Sequence, residues 1–395
     1  MKWIPIKDLC SSVKSIKWAQ YSYEYFEYLD ISSIDRINKK IIATTTTLTN
    51  EAPSRAKQPV IFEDIIVSTV RPNLNAVAYV EKEYDGSIAS TGFCVLRPKK
   101  NILNQLFLYY FSRSQNFINR LNLLSTGASY PAVSDKIVKS LKIPLPPIKT
   151  QKRIVAVLDR AQALIDKRKE QIALMDQLIQ SIFYDMFGDP VLNPMGWNKS
   201  EFGNHIISII GGKSLGGEVR EMNVGEYAVL KVSAVTSGFF NPSEYKVVNR
   251  SNLPEVLILP QKNDLLFSRA NTVDLVGATC IVNADYDNLL LPDKLWRIKV
   301  KQSNLNNWFV KCLLSHNGFR RKLKKLATGT SGSMLNISKA KLKKLEMLIP
   351  PLNLQNTFAD RVKKIESQKQ TMTTALKELE NNFNSLMQRA FKGEI

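Results

Sequence analysis

The sequence contains few of the residues that form disulfides, metal centres or proton-transfer sites. Its 395 residues include only four cysteines and two histidines. The cysteines (Cys10, Cys94, Cys280 and Cys312) are widely separated and form no Cys-x-x-Cys pair. This spacing favours free thiols in the cytoplasm over a disulfide framework or a zinc site. Histidine is the most frequent general base, and the chain has only two. The sequence therefore predicts no catalytic residues and no metal ligands.

Long apolar runs are absent as well. No stretch of the sequence reaches the roughly 18 apolar residues that indicate a membrane-spanning helix. Residues 1–8 contain no hydrophobic signal region. We therefore expect a cytoplasmic protein without a membrane partner.

Positive charge, in contrast, is in excess. The 55 lysines and arginines outnumber the 35 aspartates and glutamates, which gives a formal net charge of +20 at pH 7. Such an excess indicates a polyanionic partner, most simply nucleic acid. The length of the chain favours two or three domains.

A heptad pattern of apolar residues extends over residues 151–186 and occurs a second time over residues 358–390. The steps of four and three residues are typical of a coiled-coil seam, interrupted by Arg168 in the first copy and Lys369 in the second. The first helix is expected to be roughly 50 Å long, at about 1.5 Å per residue. Matching seams predict that the two helices pack against each other. The seam residues are Ile154, Leu158, Ile165, Ile172, Met175, Ile179, Phe358, Val362, Ile365, Met372, Leu376 and Leu379.

The repeat includes the segments that precede the helices. A proline joint leads into each helix, at Pro144–Pro147 and at Pro350–Pro351. Alternation of apolar and polar residues predicts strands at Tyr28–Ile34 and Val229–Val235. Basic strands are predicted at Lys136–Ile143 and Lys339–Ile349, just before the joints.

These patterns predict an α/β (α+β) fold with two homologous mixed α/β globular domains and two long coiled-coil helices that pack against each other. The antiparallel direction of the two helices is implied by the family resemblance described below. Gly188–Gly196, rich in Gly, Pro and Asn, is predicted to be the linker between the two copies. The predicted boundaries are 1–147 for the first domain, 148–188 for the first long helix, 189–351 for the second domain and 352–395 for the second long helix.

Motifs of several enzyme classes are incomplete. Gly211–Ser214 resembles the end of a phosphate-binding loop, but the glycine required five residues before Gly212 is replaced by Ile207. Asn193–Gly196 lacks the aromatic ring with which adenine methyltransferases hold a flipped base. Glu244–Lys246 lacks the upstream Pro-Asp of a nuclease metal cluster. The sequence favours binding without catalysis.

Polar loops at equivalent places in the two copies are the candidates for reading DNA. Arginine donates two hydrogen bonds to guanine, asparagine pairs with adenine, and serine or threonine contacts phosphates or base edges. Small-residue loops at 126–130 and 328–333 allow backbone amides to approach a phosphate. Solvated turns are the alternative interpretation of each loop. The candidate residues are Ser68, Thr69, Arg71, Asn73, Asn75, Ser129, Tyr130, Lys213, Ser214, Ser268, Arg269, Asn271, Thr272 and Ser331.

The whole chain resembles the specificity subunit of a type I restriction-modification system. The resemblance rests on the duplicated plan, the proline joints, the segments Asp64–Asn73 and Asp264–Arg269, and the Thr-Gly-x-Ser loops. It implies that each globular unit is a target recognition domain for one half of a split, asymmetric DNA site. It also implies that the antiparallel helices set the gap between the half-sites.

The resemblance further implies which partners the chain has. Two modification subunits dock on the helices and methylate adenine with S-adenosylmethionine, and restriction subunits use ATP and Mg²⁺ for translocation and cleavage. By this resemblance the chain itself binds no cofactor and is not an enzyme. Other interpretations remain open: a coiled-coil scaffold, a general DNA-binding protein without sequence specificity, or a solo methyltransferase or nuclease.

Overall fold

The computed structural model describes residues 2–127, 129–329 and 334–395. The chain divides into two compact units. Unit 1 consists of Met1–Glu170 and Thr373–Ile395, and unit 2 consists of Gln171–Met372. Each unit therefore contains one globular part, a portion of the first long helix and a portion of the second.

Three helices and the long helix occur in the same order in both copies, whereas the short α1 and α6 lie at different places. The first copy contains α1 (Ile6–Leu9), α2 (Gln105–Arg113), α3 (Gln115–Leu123), α4 (Asp135–Ser140) and the long α5 (Ile148–Phe187). The second copy contains α6 (Ser233–Thr236), α7 (Asn307–Ser315), α8 (Asn317–Leu326), α9 (Lys339–Lys343) and the long α10 (Leu352–Lys392).

The strands of unit 1 form two larger sheets, with the orders β2-β11-β8-β9 and β6-β3-β10-β7, and two small pairs, β1-β12 and β4-β5. Strands β3 and β10 are parallel, and the other pairs are antiparallel. The strands are β1 Trp3–Pro5, β2 Cys10–Ser11, β3 Tyr25–Leu29, β4 Ile34–Asp35, β5 Lys40–Ile41, β6 Thr45–Leu48, β7 Ala56–Pro59, β8 Ile65–Ser68, β9 Val77–Tyr79, β10 Ile88–Ser90, β11 Phe93–Pro98 and β12 Lys142–Pro144.

Unit 2 repeats most of this plan with the four-stranded sheet β14-β21-β17-β19 and the pair β13-β23. Its second sheet, β16-β15-β20, has three strands where unit 1 has four, and its other pair is β18-β22. Its parallel pair is β15 with β20, at the place that β3 and β10 occupy in unit 1. The strands are β13 Lys199–Glu201, β14 Ile206–Gly211, β15 Tyr227–Leu230, β16 Tyr245–Val248, β17 Leu265–Ser268, β18 Ala270–Asn271, β19 Thr279–Ile281, β20 Leu289–Leu290, β21 Leu295–Val300, β22 Leu335–Asn336 and β23 Glu346–Leu348.

The segments predicted as basic strands begin as helices, so that part of the prediction was wrong. Ser134 caps α4 by accepting a hydrogen bond from the Ile137 backbone N–H at 3.4 Å, and Ser338 caps α9 in the same way. A serine before a helix satisfies one of the unpaired N–H groups of the first turn. Only the last residues of each segment form strands, β12 and β23.

The strands predicted at Tyr28–Ile34 and Val229–Val235 are shorter than expected. Strand β3 ends at Leu29 because Asp30 caps a 3₁₀ turn by accepting hydrogen bonds from the next backbone N–H groups. Strand β15 ends at Leu230, and the helix α6 follows at Ser233. In both cases local hydrogen bonding ends an alternating pattern early.

The long helices are antiparallel within unit 2. Phe358, near the start of α10, packs against Phe183 and Phe187 near the end of α5, with ring centroids 5.6 and 5.3 Å apart. Further along α10, the buried Lys369 forms an ion pair with Asp176 of α5. The polar interruption at Lys369 is thus paired with a carboxylate of the other helix.

The heptad seam is buried most completely where the globular parts cover it. In unit 1 the buried seam residues are Ile154, Leu158 and Ile165, and Leu376 and Leu379 pack half-buried against the same core. In unit 2 the buried seam residues are Ile179, Phe358, Val362 and Ile365, with Met175 packed against their core. Ile172 and Met372 are half-buried. The mixed α/β fold class with two long helices is therefore confirmed.

A buried glutamine at the start of each long helix connects that helix to its globular part. The Gln151 side chain accepts a hydrogen bond from the Asn104 N–H at 2.8 Å and donates to the carbonyls of Ile102 and Pro146 at 3.0 and 2.9 Å. Gln355 makes the equivalent three contacts, with Asn306, Asn304 and Pro350. Both side chains are fully buried. Each helix therefore starts in a fixed position on its own unit.

Candidate nucleic-acid interface

In unit 1 the two loops that were predicted to read DNA lie side by side. The Arg71 N–H donates to the Pro131 carbonyl at 2.7 Å, and the Val133 N–H donates to the Thr69 carbonyl at 2.9 Å. The Arg71 guanidinium lies over the Tyr130 ring, 4.4 Å from its centroid. Tyr130 is 68% exposed, and Arg71 is exposed as well. The pair therefore presents a cation and an aromatic ring on one exposed surface.

The backbone of the first loop is tightly constrained. Arg71 and Asn75 both adopt left-handed conformations, with φ of 49° and 46°, on either side of a short 3₁₀ turn at Pro72–Leu74. Non-glycine residues adopt this conformation at a cost, and such strain concentrates at functional sites. The Asn75 amide donates to the Arg113 carbonyl at 3.2 Å, while Lys39 donates to the Asn75 carbonyl at 2.5 Å. Asn75 therefore anchors the loop, whereas Asn73 is exposed at its tip.

Ser68 and Thr69 do not reach the surface. Both side chains are buried, and their hydroxyls donate to the carbonyls of Val70 and Gly92, each at 2.9 Å. These hydroxyls stabilise the turn out of β8. A contact with DNA by either side chain would require the turn to open.

Unit 2 brings the equivalent loops together through a short ladder. Strand β18 pairs with β22, and the Ile337 N–H donates to the Arg269 carbonyl at 2.8 Å. Thr272 is exposed and Asn271 is half-buried. Ser268 is fully buried, so it takes the structural place that Ser68 has in unit 1. The predicted contact at Ser331 lies outside the described residues, and Ser129 of unit 1 is exposed.

The Gly211–Ser214 segment passes close to a neighbouring loop. A Cβ added at Gly212 would lie 1.7 Å from the Leu291 carbonyl oxygen. Only glycine permits this close approach. Lys213 and Ser214 follow directly and are exposed.

Arg269 is held by several partners instead of lying free on the surface. Its Nε donates to the Asp293 carbonyl at 2.8 Å and its Nη2 to the Asp293 carboxylate at 3.0 Å. Its Nη1 donates to the Asn336 side chain at 3.3 Å. The Trp296 ring centroid lies 5.9 Å from the guanidinium carbon. The sequence analysis did not identify Asp293 or Trp296, because both approach Arg269 from distant parts of the chain.

Sequence reasoning also missed the buried glutamines, although a signal for them exists. Both copies contain Pro-Pro-x-x-x-Gln, at Pro146–Gln151 and Pro350–Gln355. Asp64 and Asp264 were recognised as part of a motif but not as ion-pair partners. Arg97 donates to both carboxylate oxygens of Asp64, at 2.9 and 2.7 Å, and Arg297 approaches Asp264 at 3.5 Å.

The residues that carry chemistry in enzymes are buried or scattered. All four cysteines are free and buried, and burial raises the pKa of Cys10 to about 12 and that of Cys312 to about 11. These thiols stay protonated at neutral pH and are poor nucleophiles. Among the described residues, no group of three or more His, Cys, Asp and Glu side chains is arranged to hold a metal ion. In that same part of the chain, every helix is too short or too polar to cross a membrane.

Comparison with known protein families identifies the family of this chain. The family model described as the type I restriction modification DNA specificity domain matches residues 2–174 and 194–381. The chain belongs to this family. Two matched segments in one chain agree with the duplicated architecture of a type I specificity subunit.

Individual relatives align along most of their length. The EcoKI specificity subunit of Escherichia coli K12 is 24% identical over 417 residues, which covers 100% of this chain and 89% of the relative. The StySPI specificity subunit of Salmonella potsdam is 20% identical, with 99% of this chain and 88% of the relative covered.

Solved structures share the fold. One is a chain from work on complex assembly and conformational transition of the type I restriction-modification system, with a TM-score of 0.59, 24% identity and coverage of 100% of this chain and 98% of that chain. Another is the type I restriction-modification S subunit from M. genitalium, with a TM-score of 0.55, 12% identity and coverage of 99% and 96%.

Family membership confirms the predicted role. The chain is a DNA specificity subunit, which recognises DNA and is not by itself an enzyme. Its partners are DNA and the modification and restriction subunits, and the cofactors of methylation and cleavage belong to those subunits.

Proposed function

We propose that each unit reads one half of a split DNA site through the pair of loops that meet on its surface. The proposal rests on the contact between two polar loops within each unit. Two polar loops, far apart in sequence, lie side by side in unit 1 and again in unit 2. The proposed reading residues of the loop pairs are Arg71, Asn73, Ser129 and Tyr130 in unit 1, and Arg269, Asn271 and Thr272 in unit 2. Lys213 and Ser214, which follow β14, are proposed as additional contacts outside the loop pair.

The chemistry of these residues fits the edges and backbone of duplex DNA. Arg71 and Asn73 offer the donors and acceptors that distinguish guanine and adenine in the major groove. Tyr130 is available to pack on a sugar, and Lys213 to contact a phosphate. Ser68, Thr69, Asn75 and Ser268 support the loops from behind, because they are buried or engaged with backbone groups.

The long helices have a separate role in this proposal. Residues 148–188 and 352–395 form the spacer helices, whereas residues 1–147 and 189–351 form the two recognition domains. The helix pair sets the number of base pairs between the half-sites and docks two modification subunits. Exposed apolar side chains of α5 are available for helix docking in each unit, Val157 and Leu164 in unit 1 and Leu174 and Leu178 in unit 2. The complex acts on DNA in the cytoplasm.

A domain exchange tests the independent reading of the two halves. Residues 1–142 are replaced by the first domain of another family member, and the chain is co-expressed with the modification subunit encoded beside it. A genome-wide map of N6-methyladenine then gives the recognised site. We expect a split motif with a fixed gap, in which the exchange alters one half only; a change in both halves would contradict the proposal.

The spacer role has its own test. Insertion of one heptad into both α5 and α10 keeps the seam in phase, because the seam repeats every seven residues. We expect the gap in the methylated motif to lengthen while both half-sites stay the same. An unchanged gap in an intact complex would show that the helices do not set the spacing.

A further inference from the structure

The guanidinium group of Arg269 is held along one edge by Asp293. Nε and Nη2, the adjacent donors of that edge, contact the carbonyl and the carboxylate of Asp293. Nη1 contacts the Asn336 side chain, and the Trp296 ring lies nearby. With partners on two sides, the guanidinium plane has little freedom to rotate.

These contacts leave the outer end of the guanidinium available. An arginine side chain carries five N–H donors, and three of them are used here. Among the described residues, one N–H on each terminal nitrogen stays without a partner, and the side chain is 29% exposed. Two donors on neighbouring nitrogens match the O6 and N7 acceptors of guanine in the major groove.

The carboxylate of Asp293 is only partly satisfied by hydrogen bonds. Its Oδ1 atom is buried and has no hydrogen-bond partner within the described part of the chain. Burial of an unpaired carboxylate oxygen costs free energy. A neutral side chain would avoid that cost, so stability alone does not account for an aspartate here.

Among the described residues of unit 1, the positions equivalent to Arg269 and Asp293 hold no such pair. Thr69 takes the place of Arg269, since its N–H donates to the Gly92 carbonyl just as the Arg269 N–H donates to the Lys294 carbonyl. By the same alignment, Thr91 takes the place of Asp293. The contacts of the shared framework, such as those of Gln151 and Gln355, occur in both units. A contact found in one unit only is expected of an element that distinguishes the two half-sites.

From this geometry we infer that Asp293 is a positioning residue, which holds Arg269 in the orientation that reads a guanine in the half-site of unit 2. The inference rests on the proposed function, in which the Arg269 loop faces DNA. It adds a base identity, guanine, and a residue that sets specificity without touching the base.

The test uses the specificity subunit in complex with its modification subunit and selection from a DNA pool randomised in both half-sites. For Asp293→Asn, we expect the preference at one G·C pair of one half-site to fall by roughly tenfold, the lower part of the range for a bidentate contact. Arg269→Lys should relax the same position, because lysine lacks the planar fork. All other positions should keep their preferences.

The matched control is Glu226→Gln. Glu226 forms a two-point ion pair with Arg220 in the same unit, at 2.7 and 2.8 Å, and the substitution makes the same carboxylate-to-amide change. It should leave every base preference unaltered.

Two results would overturn the inference. In one, Asp293→Asn weakens all positions of the half-site equally and lowers the unfolding temperature, as expected of a purely structural contact. In the other, Asp293→Asn and Arg269→Lys relax different positions. A wild-type complex that selects no split site would instead contradict the proposed function itself, so the two failures are distinguishable.

Discussion

In unit 1 the exposed arginine of the proposed reading surface is Arg71, which has a left-handed backbone and lies over Tyr130. In unit 2 the arginine is two positions earlier in the equivalent loop, at Arg269, and is held by Asp293 and Asn336. The sheet that leads into the first loop has the same strand order in both units, β2-β11-β8-β9 in unit 1 and β14-β21-β17-β19 in unit 2. The scaffold therefore fixes where a reading loop lies but does not dictate which position of the loop carries the arginine.

The contacts that hold each globular part together, in contrast to the loop arginines, occur at equivalent positions in both units and involve the same residue types. Gln151 and Gln355 make matching hydrogen bonds, and Asp64 and Asp264 each face an arginine of the neighbouring strand. The ion pairs differ in quality, since the closest contact is 2.7 Å in unit 1 and 3.5 Å in unit 2. Mutations at paired positions can therefore show which features the units truly share.

The largest effect is expected from the buried glutamines. Gln151→Leu removes three hydrogen bonds and leaves buried backbone groups unpaired, which we expect to lower the free energy of unfolding of unit 1 by about 3–5 kcal/mol. Gln355→Leu should do the same to unit 2. Hydrogen exchange resolved by segment measures each unit separately. Gln177→Leu, at an exposed position of the same helix, is the control; equal losses for Gln151→Leu and Gln177→Leu would contradict a connecting role.

Loss of the strand ion pairs is expected to lower the free energy of unfolding by a smaller amount, which differs between the two units. Asp64→Asn breaks a two-point contact with Arg97 and should cost unit 1 about 2–3 kcal/mol. Asp264→Asn should cost unit 2 less, because burial raises the pKa of Asp264 despite Arg297, and the neutral form is therefore tolerated better. Denaturant unfolding, followed unit by unit with hydrogen exchange, measures both costs. A larger loss in unit 2 would reverse this ranking.

The smallest effect is expected at the aromatic ring of unit 1. Tyr130→Leu removes the ring beneath Arg71 and should weaken DNA binding by about 0.5–1 kcal/mol. Tyr130→Phe keeps the ring and should bind nearly as well as the wild type. Titration of the complex with duplex DNA measures both variants. Equal losses for the two substitutions would assign the contribution to the hydroxyl and not to the ring.

The sequence allowed the long helices and the recurrence of the polar loops in both copies to be predicted, since both rest on repetition. A heptad seam depends on residues three and four apart, so it is visible along the chain. The positions of Arg71 and Tyr130 followed from loops that recur in order in both copies. Ser68 and Ser268 were predicted to contact DNA because they belong to the polar loops and serine can contact phosphates or base edges, but both side chains are buried.

The remaining features depend on contacts between distant segments. Asp293 reaches Arg269 because it lies just before β21, which pairs with β17 so that Ser268 is opposite Leu295. No pattern of neighbouring residues in the sequence indicates this pairing. The helices α4 and α9 were missed because their capping serines precede segments that read as basic strands. The serine that caps each helix is visible in the sequence, and its hydrogen bond favours a helix over the strand that the basic pattern predicted.

The independence of the two units can be tested most directly by a methylation map of two matched variants, Arg71→Lys and Arg269→Lys, each in complex with the modification subunit. Lysine keeps the charge but loses the two-point contact with a base. We predict that each variant relaxes one base pair, that the two positions lie in opposite halves of the split site, and that the gap is unchanged. Relaxation of the same half by both variants, or of both halves by either one, would contradict the account.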